Sequence, residues 1–220
     1  MRLGVLVSGR GSNLGAVLDA CRDGRLGAIE PVLVISNRPR VCALGVAERH
    51  HVRHRVLDRR DFPDAGARDA AIGQGFADAG CDLVLLAGYD QLLRAPYFVA
   101  YRGATINIHP SLLPRHGGRG MMGLAVHRSV LAAGDAESGV SMHWVTPELD
   151  AGPILAQARV PVLAVDDAES LAWRVLEVEH RLLIDTLANL AAEGLPDLAS
   201  ASMTDRPVTV EADSIRVEGP

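Results

Sequence analysis

Short apolar runs alternate with segments of helical periodicity in the first half of the chain, and this alternation limits the possible folds more than any other feature. Residues 3–7, 31–35 and 82–87 are almost continuously apolar, as is typical of strands buried on both faces of a parallel sheet. Residues 14–21 follow the first run with apolar side chains at helical spacing. Strands that alternate with helices predict a parallel sheet with right-handed crossovers.

The remaining segments extend this pattern and then change it. We expect helices at 41–50 and 65–79, and strands at 52–57 and 106–109. Beyond these, the glycine-rich residues 115–123 predict an irregular loop, 124–133 a helix, 139–145 and 154–162 a strand hairpin, and 166–192 a long helix with an acidic start. The sequence therefore predicts an α/β, Rossmann-like fold: a mostly parallel twisted sheet with flanking helices and a C-terminal antiparallel extension.

Composition narrows the functional classes. The chain has 220 residues, a formal net charge of -5 and no apolar stretch as long as a membrane span. The lack of such a stretch leads us to expect a cytoplasmic protein, and an acidic protein is not suited to nucleic acid or to an anionic membrane. None of the 22 basic residues is lysine, which excludes Schiff-base chemistry and a P-loop lysine. Cys21, Cys42 and Cys81 form no C-x-x-C pair, so we expect buried thiols.

The segment S-G-R-G-S-N at residues 8–13 lies between the first strand and the first helix. Converging backbone N–H groups and the positive end of the helix dipole make such a loop an anion site. A dinucleotide fingerprint would need glycine in place of Leu14 and an acidic residue where 36–38 read S-N-R, so a single phosphate is favoured over NAD. Helix capping by Ser12 and Asn13 is the alternative explanation.

A second constellation ends the fifth strand, in T-I-N-I-H-P-S-L-L-P at residues 105–114. Asn107 and His109 leave the strand on the same face, and Pro110 stops it at the sheet edge where ligands bind. With Asp150 in the turn L-D-A-G-P, they offer an oxyanion donor, a proton-exchanging imidazole and a carboxylate to orient it. This set suits direct attack by an amine on an activated carbonyl carbon. Ordinary turn chemistry is the alternative for Asp150.

The other histidines form no clear constellation. His50 and His54 have i,i+4 spacing, but a strand is expected to begin at Val52, so a shared helix face and a metal site are not favoured. Surface or capping roles are expected for the rest: His116, His127, His143 and His180.

Four motifs occur in a fixed order: S-G-R-G-S-N-L, L-L-A-G-Y, I-N-I-H-P-S-L-L-P and T-P-E-L-D-A-G-P. From about residue 2 to about residue 187, the chain closely resembles the phosphoribosylglycinamide formyltransferase family, the folate-dependent glycinamide ribonucleotide transformylases of purine synthesis. The resemblance implies formyl transfer from 10-formyltetrahydrofolate to the glycyl amine of the ribonucleotide, without a metal, by a monomer or homodimer. It also implies one formyltransferase domain at 1–195, with a phosphate-binding half at about 1–103, a catalytic and folate-binding half at about 104–195, and a peripheral tail at 196–220.

The same resemblance implies roles for individual residues. Asn107, His109 and Asp150 would be catalytic. The backbone around Gly11, Ser12 and Asn13 would hold the ribose phosphate, and Glu179 would meet the ribose hydroxyls. Folate would bind beside Leu86, Tyr89, Asp90, Gln91, Leu92, Leu93, Phe98 and Asp150.

Two departures from the family pattern stand near these sites. Asp90 and Gln91 replace a hydrophobic residue and an arginine found in many relatives, which removes a positive charge that would face the glutamate tail of folate. The loop at 115–123 resembles a long-loop branch of the family. Three other functions remain open: a formyltransferase for another amine such as an amino sugar, a formyltetrahydrofolate hydrolase, and a non-catalytic nucleotide- or folate-binding protein.

Overall fold

The structure, a computed structural model, describes residues 1–195, so the predicted tail at 196–220 lies outside the described residues. Seven strands form one sheet: β1 (Arg2–Val7), β2 (Glu30–Ser36), β3 (His54–Val56), β4 (Leu83–Leu86), β5 (Ala104–His109), β6 (Glu137–Trp144) and β7 (Ile154–Pro161). Their order is β3-β2-β1-β4-β5-β6-β7. β1 to β5 pair in parallel, whereas β6 pairs antiparallel with both β5 and β7. The predicted fold class, including the antiparallel extension, is confirmed.

Six α-helices flank the sheet in the described residues: α1 (Ser12–Arg22), α2 (Cys42–Arg49), α3 (Ala65–Asp78), α4 (Ala95–Ala100), α5 (Leu124–Ala133) and α6 (Ala168–Glu193). Side chains alternate along β1, so Val5 and Val7 pack with α1, α2, α5 and α6 while Leu6 packs with α3 and α4. Because both faces are covered, the central strands are fully buried, which explains their continuous apolar runs.

Two local predictions differ from the structure. The third strand, expected at 52–57, is shorter because the backbone N–H of Val52 still bonds to Ala47 at the end of α2 and His51 adopts a left-handed φ of 57°. The short helix α4 was not predicted. Pro96 lies in its first turn, where the fixed φ of proline favours a helix start, and α4 completes the crossover from β4 to β5.

The predicted boundary at about residue 103 falls just before β5 and inside one continuous sheet. The division into two functional halves stays a prediction. Among residues 1–195, no helix combines the length and apolar character needed to cross a bilayer. The cytoplasmic location also stays a prediction.

Candidate active site

A cleft of about 1020 Å³ opens at the carboxyl ends of β1, β4 and β5. The chain runs outward from β1 to β3 in one direction and from β4 to β7 in the other, so the cleft lies at the point where the strand order reverses. Loops diverge at such a point and leave a crevice, which is where open α/β sheets bind ligands. The loop after β1, the loop after β4, the end of β5 and one face of α6 all line it.

Asn107 and His109 both reach this cleft from the end of β5. The amide of Asn107 donates from Nδ2 to Nε2 of His143 over 3.0 Å. His143 lies directly opposite Asn107 on the neighbouring strand β6. The amide therefore has one N–H anchored and a second N–H left for another acceptor.

The ring of His143 has a defined proton position. Its Nδ1 lies 2.9 Å from the carbonyl oxygen of Trp144, which accepts a hydrogen bond and cannot donate one. Burial lowers the pKa of His143, although the Trp144 carbonyl and the Asp150 charge partly oppose this shift. The neutral ring carries its proton on Nδ1, so Nε2 is free to accept from Asn107.

The carboxylate of Asp150 lies between these two imidazoles. Its oxygens are 3.9 Å from Nδ1 of His109 and 3.7 Å from Nε2 of His143. Both separations exceed a direct hydrogen bond, and Oδ2 instead accepts from the backbone N–H of Gly118 at 2.8 Å. The turn that carries Asp150 packs tightly against β6, because a Cβ on Gly152 would lie 1.8 Å from the carbonyl oxygen of Trp144.

Three histidines, His116, His127 and His143, were wrongly expected at the surface or at caps, and His180 is half-buried on α6. His143 and His127 are buried, and both line the cleft. Burial, followed by the nearby charge of His109, lowers the pKa of His127 to about 4. The side chain of His116 is also largely buried and bonds to Ser129 and Asp135. The pairing of β5 with β6, which brings His143 to Asn107, is a long-range contact that no local motif signals.

The loop after β1 forms the other end of the cleft. Gly11 adopts a left-handed φ of 80°, and a Cβ there would lie 2.7 Å from Cα of Ala43. Within the described part of the chain no side chain caps the start of α1, which leaves the backbone N–H groups at Ser12 and Asn13 available to an anion. Asn13 does not cap the helix, since its Nδ2 donates to Oε1 of Glu179 over 2.8 Å.

Glu179 extends from α6 into this same end of the cleft. Burial raises the pKa of its carboxyl to about 7, while the hydrogen bond from Asn13 and the charge of Arg10 act in the opposite direction. Oδ1 of Asn13 is buried and has no hydrogen-bond partner among residues 1–195. Asn13 and Glu179 therefore form a buried polar pair at this end of the cleft that is not fully hydrogen-bonded within the described residues.

Most residues assigned to folate form one wall of the cleft, namely Leu86, Tyr89, Asp90, Gln91, Leu92 and Leu93. Phe98 does not line the cleft. It packs edge-on against Tyr97, with ring centroids 5.1 Å apart, on the α3 and α4 side of the sheet.

Asp90 joins three loops at this wall. Its backbone N–H donates to Ser8 Oγ at 3.0 Å, and its carboxylate accepts from Asn37 Nδ2 at 2.9 Å and pairs with Arg38. Burial would raise the pKa of Asp90, but hydrogen bonds from Asn37, Ser8 and Gln91 and the charge of Arg38 lower it overall. Arg38 thus brings a cation to the same wall where Gln91 supplies none.

Two further expectations can be compared with the structure. Cys81 is buried and Cys21 half-buried, and burial raises the pKa of each thiol to about 11; Cys42 is exposed, so the expectation of three buried thiols was wrong for Cys42. In the described part of the chain, no group of three or more His, Cys, Asp or Glu side chains is arranged to hold a metal ion.

A cleft at the switch point of a mixed sheet, with an amide, an imidazole and a carboxylate at one end and a loop with free N–H groups at the other, defines a Rossmann-like α/β enzyme. The sequence model of the family described as formyl transferase matches residues 1–187. The chain belongs to this formyl transferase family.

Within the family, the chain is similar to proteins of purine synthesis. The chain is 34% identical over 209 residues to phosphoribosylglycinamide formyltransferase of Haemophilus influenzae, covering 89% of this chain and 96% of that protein. It is 41% identical over 190 residues to the trifunctional purine biosynthetic protein adenosine-3 of Drosophila melanogaster, covering 86% of this chain but only 14% of that much longer protein. The crystal structure of glycinamide ribonucleotide transformylase 1 from Symbiobacterium toebii superposes with a TM-score of 0.82 at 39% identity, over 90% of this chain and 91% of that one.

Proposed function

We propose that this protein transfers the formyl group of 10-formyltetrahydrofolate to the glycyl amine of 5'-phosphoribosylglycinamide, a step of de novo purine synthesis. The observation that carries the proposal is the meeting of Asn107, His109 and Asp150 in one cleft whose far end has an uncapped helix start. The three side chains suit an acyl-type transfer, and the uncapped helix start suits a phosphate. The named relatives of similar length support this choice of substrates.

The ribonucleotide would lie at the α1 end of the cleft. Backbone N–H groups of Gly11, Ser12 and Asn13 would hold the phosphate, and Arg10 in the same loop adds positive charge. The carboxyl of Glu179 would accept hydrogen bonds from the ribose hydroxyls. Folate would lie along the wall formed by Leu86 and residues 89–93, whose apolar members suit its ring.

The reaction would pass through a tetrahedral intermediate between the two substrates and would need no covalent bond to the enzyme. The glycyl amine attacks the formyl carbon, forming a carbon–nitrogen bond and an oxyanion. The free N–H of Asn107 and protonated His109 stabilise that oxyanion, while the carboxylate of Asp150 lies beside the imidazole. Collapse breaks the bond between the formyl carbon and N10 of folate. The proton lost by the amine passes through water, assisted by Asp150, to N10.

Many relatives have an arginine where this chain has Gln91. In this proposal Arg38 supplies a positive charge to the same wall, so folate binding is not abolished. Its guanidinium lies at the folate wall, is about half exposed and is held there by Asp90. It remains partly neutralised by that carboxylate. We therefore expect folate to bind, with a weaker preference for long glutamate tails than an unpaired arginine would give.

Turnover with labelled formyl donor tests the proposal. The purified protein is incubated with 10-formyltetrahydrofolate carrying a labelled formyl group, with and without the ribonucleotide. Label recovered in formylated ribonucleotide, with no folate product when the ribonucleotide is omitted, is the expected result. Free labelled formate in both tubes would instead establish a hydrolase. Absence of reaction together with tight binding of either ligand would establish a binding protein.

A further inference from the structure

The imidazole of His109 is hydrogen-bonded to a backbone carbonyl. Its Nε2 lies 2.9 Å from the carbonyl oxygen of His116, seven residues further along the chain. A carbonyl oxygen only accepts, so Nε2 carries the proton in this hydrogen bond. In the neutral ring, Nδ1 is then the unprotonated nitrogen, and it faces Asp150. The position of one carbonyl thus sets which nitrogen of His109 meets the reacting groups.

His116 holds that carbonyl in an unusual backbone conformation. Its φ is 54°, in the left-handed region, which is sterically unfavourable for a residue with a Cβ. Left-handed residues of this kind persist when their surroundings fix them. Here the surroundings are the side chain's own contacts.

Both ring nitrogens of His116 are bonded. Nδ1 lies 2.8 Å from Oγ of Ser129 on α5, and Nε2 lies 2.8 Å from Oδ2 of Asp135. The side chains of His116 and Asp135 are only 11% and 9% exposed, so these bonds are protected from water. Asp135 is itself paired with Arg115. The ring is therefore tied at both ends to the segment that runs through and just beyond α5.

We propose that His116 is a positioning residue: its ring, clamped between Ser129 and Asp135, fixes the carbonyl that keeps one proton of His109 on Nε2. Nδ1 is then the nitrogen that takes up the second proton and presents it to the oxyanion. The catalytic part of this inference rests on the proposed function, since it assigns His109 to the reaction. The tautomer part does not, because it concerns the resting protein alone. His116 itself touches no reacting atom.

Two variants and one matched control test the proposal in the full chain. His116→Asn keeps a residue type that tolerates left-handed φ but is too short to reach both partners. Ser129→Ala removes one of the two ring contacts without touching the backbone of His116. His51→Asn is the control, because His51 has nearly the same φ, 57°, and is exposed at the end of α2, outside the cleft.

Steady-state kinetics give the first readout. We expect kcat of His116→Asn to fall about 10- to 100-fold, as for a small misplacement of a catalytic group, with KM for both substrates within about twofold of wild type. The kcat of Ser129→Ala should also fall, by a smaller factor, and the kcat of His51→Asn should match that of wild type. A kcat within about twofold of wild type in His116→Asn would overturn the proposal, as would a rise in both KM values equal to the fall in kcat.

Nitrogen-15 spectra of the histidine rings give a readout independent of turnover. Wild-type His109, near neutral pH, should show a protonated Nε2 and an unprotonated Nδ1. His116→Asn should show a mixture of the two tautomers at His109. A wild-type His109 protonated on Nδ1 would overturn the proposal, as would unchanged His109 signals in the folded variant. A wild-type protein that shows the expected tautomer yet transfers no formyl group would contradict the proposed function and leave the tautomer assignment supported.

Discussion

Nδ2 of Asn107 donates to Nε2 of His143 across the pairing of β5 with β6, at 3.0 Å. Because Nδ1 of His143 is occupied by the Trp144 carbonyl, the imidazole acts as a fixed acceptor that holds the amide in one orientation. The orientation of Asn107, the proposed oxyanion donor, therefore depends on His143.

Replacing His143 tests this dependence. His143→Phe keeps an aromatic ring of similar shape that cannot accept a hydrogen bond, so the Asn107 amide loses its anchor. We expect kcat for formyl transfer to fall roughly 10- to 100-fold. His54→Phe, on the outer strand β3 and away from the cleft, is the control and should keep wild-type kcat. Equal rates in the two variants would show that Asn107 needs no partner.

The fold was predictable because its determinants are local. Continuous apolar runs such as residues 82–87 mark doubly covered strands, and the bounds of α5 agree with those expected from helical spacing. α4 was missed because six residues are too few to display a helical period, and its stability comes from packing on α3.

The candidate site was predictable only where its residues lie in one strand or one turn. Asn107 and His109 are two residues apart, so the strand period alone places them together. His143 and His116 reach the site through strand register and a left-handed backbone turn, respectively. Neither relationship leaves a pattern in the sequence, and a single histidine gives no signal of its own.

The conformation of Gly11 leads to a stability prediction. Gly11→Ala would place a methyl group 2.7 Å from Cα of Ala43 at a φ of 80°, so we expect a loss of about 1–3 kcal/mol in the free energy of unfolding, measured in urea. Gly15→Ala in the same helix α1 is the control. Its Cβ would lie 3.9 Å from Val46 Cγ1, and we expect a gain of about 0.5–1 kcal/mol. A neutral or stabilising Gly11→Ala would refute the steric argument.

The buried carboxyl of Glu179 leads to a pH prediction. Its pKa of about 7 in the folded protein exceeds the ordinary 4.5, so the folded state keeps a proton that the unfolded chain releases. This contribution to stability is fully present below pH 4.5, falls between pH 4.5 and 7, and then stays constant. Glu179→Gln removes this pH-dependent contribution, because an amide does not titrate in this range. The new amide can also donate to Oδ1 of Asn13, which is unpartnered in the described residues.

Urea unfolding of wild type and Glu179→Gln from pH 5 to pH 8 measures this difference. The advantage of the variant should grow with pH and level off above pH 7, at about 3 kcal/mol. An advantage that is independent of pH would contradict a raised pKa at Glu179.

The central claim is that the Asn107, His109 and Asp150 cleft carries out formyl transfer to the ribonucleotide. The most direct test is the single-turnover rate of labelled formyl transfer, with both substrates saturating, in His109→Ala against wild type. The account predicts ribonucleotide-dependent transfer by the wild type and a rate about 100-fold or more lower in the folded variant, because a transition-state interaction is lost. Near-wild-type transfer by His109→Ala would contradict it.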